Sequence, residues 1–430
     1  MKTKQFVYGL KGNIVYSTSP DKIEICDNSY LLYEGNKIIG VFSKIPDAYS
    51  EIQVEDYGDR LIIPGLVDLH VHAPQYAFRG LGMDLELLDW LNTNTFPEEA
   101  KYKDPEYAQK AYRIFVDNLR KGATTRACIF ATIHRKSTMI LMDLLEKSGL
   151  STMVGKVNMD RNAPDYLIEH TEESADETVE WIEEVMVKKY SRTRPILTPR
   201  FIPSCTDELM KRLKMIQKSY QLPVQSHLSE NYGEIAWVKE LCPESAFYGD
   251  AYDQVGLFGK DCKTLMAHCV HSDKEEVKRI KENGVYVVHC PESNTNLSSG
   301  VAPIRTYLDE GIHVGIGSDV AGGATENLFA AMAYAIQASK LRWRLQDDSL
   351  KPLTVAEAFY IATKGGGEFF GKVGSFESGY EVDAVVLDDS RLEHPQKLTV
   401  QQRLERMIYL SDDREIYAKY VAGEKLFERG

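Results

Sequence analysis

No Cys-x-x-Cys pair, no glycine-rich phosphate loop and no long apolar run occurs in these 430 residues. Each absence removes a class of protein. The apolar runs fall well short of the ~18 residues that a membrane span needs, so no membrane partner is expected. Met1-Lys2-Thr3-Lys4-Gln5 lacks the apolar core of a secretory leader. The seven cysteines (Cys26, Cys128, Cys205, Cys242, Cys262, Cys269 and Cys290) are odd in number and scattered, which excludes a disulfide framework. Most read as small buried hydrophobes, and the cytoplasm is the expected compartment. Positive charge is also short: 51 Lys and Arg against 64 Asp and Glu leave a net charge of −13. That balance argues against nucleic acid or an anionic surface as a partner and is compatible with a neutral small molecule.

What remains is an ordinary globular composition, 43% hydrophobic, which can bury a large core. Eight short apolar segments read as strands: 61–71, 123–132, 151–159, 195–201, 222–227, 264–270, 285–290 and 313–318. Amphipathic segments lie between most of them, at 105–121, 137–147, 171–189, 206–219 and 273–283. Alternating strands and helices predict an α/β protein built from parallel units, and eight of them predict a (β/α)8 TIM-like barrel. An open doubly wound sheet would carry a glycine-rich turn after its first strand, and none follows His72. The ends of the chain do not fit the barrel. Short strands at 6–10, 31–33, 37–42, 383–387 and 416–421 predict a small β-sandwich domain made from both ends. The expected division is 1–63 and 369–430 for the small domain and 64–368 for the barrel.

The chemistry lies at the strand ends. Pro64-Gly65-Leu66-Val67-Asp68-Leu69-His70-Val71-His72 ends the first strand with two histidines one residue apart. In a strand, such residues share a face, so both imidazoles can reach one metal ion. Arg200 ends the fourth predicted strand, His227 the fifth, and Asp319 the eighth, while His268 and His289 lie near the ends of the sixth and seventh. In a barrel these ends form one face, which carries the active site. Several metal-capable residues there are hard to explain as packing. His70, His72, His227 and Asp319 can supply the N/O ligands of a catalytic zinc, one per subunit, with a position left for water. Zinc brings the pKa of water near neutral. His268 either ligates or hydrogen-bonds the nucleophile or substrate; the second is favoured because four ligands fill the site. Glu230, three residues after His227, is the favoured general acid/base. His289 reads as structural or as a support behind the ligands, and His134, His170, His271, His313 and His394 as ordinary surface or core residues.

Taken together, Pro-Gly-x-x-Asp-x-His-x-His, the later His-x-x-Glu, His268 and Asp319 resemble the amidohydrolase superfamily. The resemblance implies a metal-dependent barrel hydrolase with an appended β-sandwich. Binuclear members carry a lysine where Arg200 stands, which points to the mononuclear deaminase branch. Deaminases of another zinc fold need Pro-Cys-x-x-Cys, absent here, so His170-Thr171-Glu172 is a chance half-match.

Within the superfamily the chain is most similar to the guanine deaminase family. His72-Ala73-Pro74-Gln75-Tyr76, Thr95-Phe96-Pro97-Glu98-Glu99, Thr198-Pro199-Arg200-Phe201 and His289-Cys290-Pro291 carry the likeness. Glu292 is a small departure, since a neutral residue is more usual there. The resemblance implies that Gln75 and Arg200 read the edge of the purine and Phe201 stacks on its ring, with His227, Glu230 and Asp319 also bordering it. Asp319 would take a proton from water, and Glu230 would deliver protons to N3 and the leaving amine, giving xanthine and ammonia. Guanine, water and a second copy of the chain, as a homodimer, are the expected partners. 8-Oxoguanine, a pterin or a triazine remain alternative substrates. A scaffold without activity is disfavoured by the complete ligand set and Glu230.

Overall fold

The structure is a computed structural model that describes residues 6–429; Met1–Gln5, read above as lacking a leader, and Gly430 lie outside them. The strands are β1 (Val7–Ser19), β2 (Lys22–Glu34), β3 (Lys37–Phe42), β4 (Gln53–Pro64), β5 (Leu66–His72) and β6 (Thr124–Phe130). Next come β7 (Ser151–Gly155), β8 (Val157–Asn158), β9 (Thr193–Pro195), β10 (Thr198–Pro199), β11 (Val224–Leu228) and β12 (Thr264–His268). The last are β13 (Tyr286–His289), β14 (Val314–Ile316), β15 (Ala384–Leu387), β16 (Ile416–Val421) and β17 (Glu424–Glu428).

The chain is α/β, with two main sheets. One is parallel and eight-stranded, in the order β11-β12-β13-β14-β5-β6-β7-β9. At its two edges Leu197 N–H donates to Pro223 O and Gln225 N–H donates to Leu197 O, both at 2.9 Å. Helices cross between successive strands, among them Pro105–Lys121, Arg135–Ser148, Thr171–Lys188, Asp207–Tyr220 and Lys274–Asn283. Their starts follow capping chemistry: Asp104, Thr206 and Asp273 each accept a backbone N–H of the first turn. Gly284, at φ 65°, ends the last of them. The other sheet is mixed and seven-stranded, in the order β17-β16-β15-β4-β1-β2-β3, so both chain ends build it. Among the described residues no helix is long and apolar enough to cross a membrane.

Three expected strands are corrected. The apolar run 61–71 divides: its first part belongs to β4 in the mixed sheet and its second to β5 in the parallel sheet. Pro64 lacks an N–H, and a side chain at Gly65 would lie 2.1 Å from Thr125 Oγ1, so the chain crosses between sheets there. The run 151–159 likewise divides into β7 and β8, and 195–201 into the end of β9 and β10; β8 and β10 pair only with each other.

Arg126 on β6 fastens the two sheets. It donates to both oxygens of Asp383 (2.6 and 3.1 Å) and to Glu381 (2.7 Å). Asp383 is buried and also accepts Ala422 N–H at 2.8 Å. Arg126→Lys keeps the charge but cannot reproduce the fork. It should cost about 1–3 kcal/mol of stability, read as a lower denaturant midpoint at unchanged m-value. An unchanged midpoint would show that the pair contributes nothing net.

Candidate active site

The ends of the parallel strands carry the polar cluster. His70 and His72 leave β5, and the turn after β14 brings Asp319 back beside them through Asp319 N–H to His70 O, 2.8 Å. Asp68, fully buried, ties the same two strands by accepting His70 N–H, Ser318 N–H and Ser318 O–H. His268 (φ 74°) and Asp319 (φ 46°) hold left-handed backbone conformations. Such positions cost about 1–3 kcal/mol each for a non-glycine residue and recur at functional sites.

The imidazoles converge. His70 and His72 Nε2 lie 3.2 Å apart, and His72 and His227 Nε2 lie 3.3 Å apart. Asp319 Oδ1 is 3.1 Å from His70 Nε2 and 3.4 Å from His72 Nε2. Burial pushes the His72 imidazole down to about 4 and that of His227 well below its usual value, so both are neutral near pH 7. Burial works against ionised Asp319, but His70 and His72 outweigh it and hold the carboxyl well below its usual range. His227 Nδ1 lies 2.6 Å from Arg200 O, which can only accept, so Nδ1 carries the hydrogen and Nε2 turns a lone pair inward. Three neutral ring nitrogens and one carboxylate facing a common point are a donor set that fits a zinc-like ion.

Glu230 and His268 stand beside the cluster. Glu230 Oε2 is 3.4 Å from His268 Nε2, and Oε1 accepts Ser299 O–H at 3.1 Å. Burial, aided by the Asp319 charge, pushes the Glu230 carboxyl up to about 8. His268 Nδ1 lies 2.8 Å from Asn294 Oδ1, and its Nε2 is 3.8 Å from Asp319 Oδ2.

These groups line one cleft, with Gln75, Arg200, Phe201, Trp90 and Leu297 among its walls. Every residue predicted to bind metal, substrate or a proton lines it except His70, which lies in the cluster behind His72. His134, His170, His313 and His394 do not line it. His289 is buried with Nδ1 unpaired, and it does not line the cleft either.

Several residues escaped the sequence reading. Glu99 pairs with Arg200, and Glu234 accepts Glu230 N–H (3.0 Å) and Tyr248 O–H (2.7 Å). Leu87, Trp90 and Leu91 form an apolar wall. Cys290 lies close to His70, His268 and Asp319, with burial keeping it a thiol. The Asn-x-x-Glu spacing at 231–234, which forms a capping box, was the one visible signal for Glu234.

The family profile described as the amidohydrolase family matches residues 61–426, and the chain belongs to that family. It is 36% identical to guanine deaminase of Dictyostelium discoideum, covering 99% of each chain. It is 40% identical to guanine deaminase of Rattus norvegicus over 85% of this chain and 82% of that one. A crystal structure of guanine deaminase from C. acetobutylicum with guanine bound in its active site superposes with a TM-score of 0.95, at 50% identity, covering 98% of this chain and 100% of that one. Within the amidohydrolases, the chain therefore falls among the guanine deaminases.

Proposed function

We propose that the protein is a hydrolytic guanine deaminase, replacing the 2-amino group of guanine by oxygen to give xanthine and ammonia. The observation that carries this reading is the shared cleft: donor-bearing Gln75 and Arg200 face the same space as the imidazole–carboxylate cluster and Glu230. His70, His72, His227 and Asp319 would hold one zinc per chain, which would supply Lewis acidity and bring the pKa of a water near neutral. Asp319 Oδ takes a proton from the attacking water. Glu230, protonated near pH 7, gives its proton to N3, takes up the hydroxyl proton of the adduct at C2 and passes it to the amine as the C–N bond breaks, and the proton taken by Asp319 then restores it. His268 hydrogen-bonds the nucleophile or the substrate. Arg200, with donors only, meets the O6 and N7 acceptors, Gln75 fixes the ring, and Phe201 lies against its face. His227, Glu230 and Asp319 also border the base.

The parallel sheet is read as a closed (β/α)8 barrel, supported by the hydrogen bonds of Leu197 across its two edges. The mixed sheet is read as a sandwich, since Ile38 of β3 packs in one core with Ala384 and Ala418 from its far side. Residues 64–368 are read as the first domain, and the described parts of 1–63 and 369–430 as the second. A cytoplasmic location accords with seven free cysteines. A homodimer accords with Tyr334, Leu341 and Leu345, which are exposed on one helix.

The test is ammonia release from guanine, adenine, 8-oxoguanine, a pterin and a triazine by the purified protein. Guanine should be preferred. Arg200→Ala should lower kcat/KM for guanine at least about tenfold, because it deletes a charged hydrogen-bond donor in a buried site. An Arg200→Ala enzyme as active on guanine as its parent would remove Arg200 from base recognition.

A further inference from the structure

We infer that Glu99 is the positioning residue that fixes the hydrogen-bond polarity of the base-reading edge, and with it the choice of a 6-oxo over a 6-amino purine. The inference rests on the guanine reading above. Glu99 does not line the cleft; it lies behind Gln75 and Arg200 and is 2% exposed. Its Oε2 accepts Arg200 Nη1–H at 2.6 Å, and its Oε1 accepts both Arg200 Nη2–H at 3.1 Å and Gln75 Nε2–H at 2.9 Å. One buried carboxylate thus holds both base-reading side chains.

The geometry also settles which way Gln75 faces. A carboxylate only accepts, so Gln75 must turn its amide nitrogen to Glu99. On the other side Ala321 N–H, which only donates, points at Gln75 Oε1 from 3.2 Å. Turning the amide over would set oxygen against carboxylate and N–H against N–H, leaving two buried groups unpaired. Arg200 is equally constrained. Its two-point pair with Glu99 fixes the guanidinium plane, and the Phe96 ring lies 5.3 Å from it. What remains for a ligand on this side is the free N–H groups of Arg200 and the second N–H of Gln75. That edge is rich in donors. It suits O6 and N7 of guanine and opposes an exocyclic amine at position 6.

2,6-Diaminopurine tests this effect. It keeps the 2-amino leaving group and places an amine where guanine has O6, with N1 turned from donor to acceptor. Glu99→Gln keeps the shape of the side chain but offers a donor as well as an acceptor. Gln75 is then held in its orientation by Ala321 N–H alone, and no longer by an acceptor-only partner. The guanine to 2,6-diaminopurine ratio of kcat/KM should fall at least about tenfold. For guanine, most of the loss should appear as a higher KM, with metal content per chain as in the wild type. Glu99→Asp stays acceptor-only but is one methylene shorter, and its ratio should fall between the two.

The proposal is overturned if metal-loaded Glu99→Gln slows on both substrates in equal proportion, for Glu99 would then be only a brace. If Glu99→Gln does not fold, Glu99→Asp decides: a wild-type ratio there, with lower rates on both substrates, overturns it as well. Failure of the wild type to release ammonia from guanine is a different result and sinks the guanine reading itself.

Discussion

Glu230→Gln is expected to lower kcat by about 10²–10⁴-fold, the usual contribution of a positioned general acid/base, while metal content stays at the wild-type level. The substitution is nearly isosteric. Glutamine can still accept the Ser299 hydrogen bond that holds Oε1 at 3.1 Å, so the side chain should stay in place. What it loses is the ability to release and regain a proton. Glu230 is 3% exposed at the wall of the cleft, and water has poor access to substitute for it. Its carboxyl, raised to about 8 chiefly by burial, is poised to give up a proton near neutral pH and take one back. KM for guanine should change much less than kcat, because the group acts in proton transfer rather than in reading the base. Turnover within a few-fold of the parent would transfer the proton work to Asp319 or His268.

The fate of Glu230 illustrates how much the sequence displayed. A ligand-type histidine with a glutamate three residues on is a local pattern, and so are His70 and His72 on one strand face. The helix 105–121 was equally legible, since Asp104 and Pro105 open it and its apolar positions keep one face. The strand boundary at Gly65 was not. Apolar residues run without a break across Pro64 and Gly65 because both halves are buried, each in a different sheet. Hydrophobicity records burial and not which sheet supplies it. Glu99 was invisible for another reason. Its partner Arg200 is 101 residues away, and nothing in Phe96-Pro97-Glu98-Glu99 distinguishes the second glutamate from the first. Glu98, also buried, instead accepts from Lys101 at 2.6 Å and from Tyr107 O–H. Contacts fixed by tertiary closure leave no local periodicity or spacing to read.

The other large effect concerns the metal. His227→Ala should leave the purified protein with little bound zinc and no measurable deaminase activity, whereas His313→Ala should be normal in both. His227 is held for ligation more tightly than its sequence neighbours suggest. The Arg200 carbonyl fixes its Nδ1 hydrogen at 2.6 Å, so Nε2 is committed to the centre as a lone-pair donor. Removing it leaves two imidazoles and Asp319, and a site short of a ligand binds its ion weakly. The Arg200 carbonyl also loses a partner, although Ser226 O–H still donates to it at 3.1 Å. Folding should therefore survive, and the unfolding midpoint of His227→Ala should match that of metal-stripped wild type. His313 is the proper control: it lies at the surface beside Glu368, 2.9 Å away, far from the cleft lining. Elemental analysis decides the matter apart from any activity measurement. One zinc per chain retained by His227→Ala would take this histidine out of the ligand set and leave His70, His72 and Asp319 to be completed by His268.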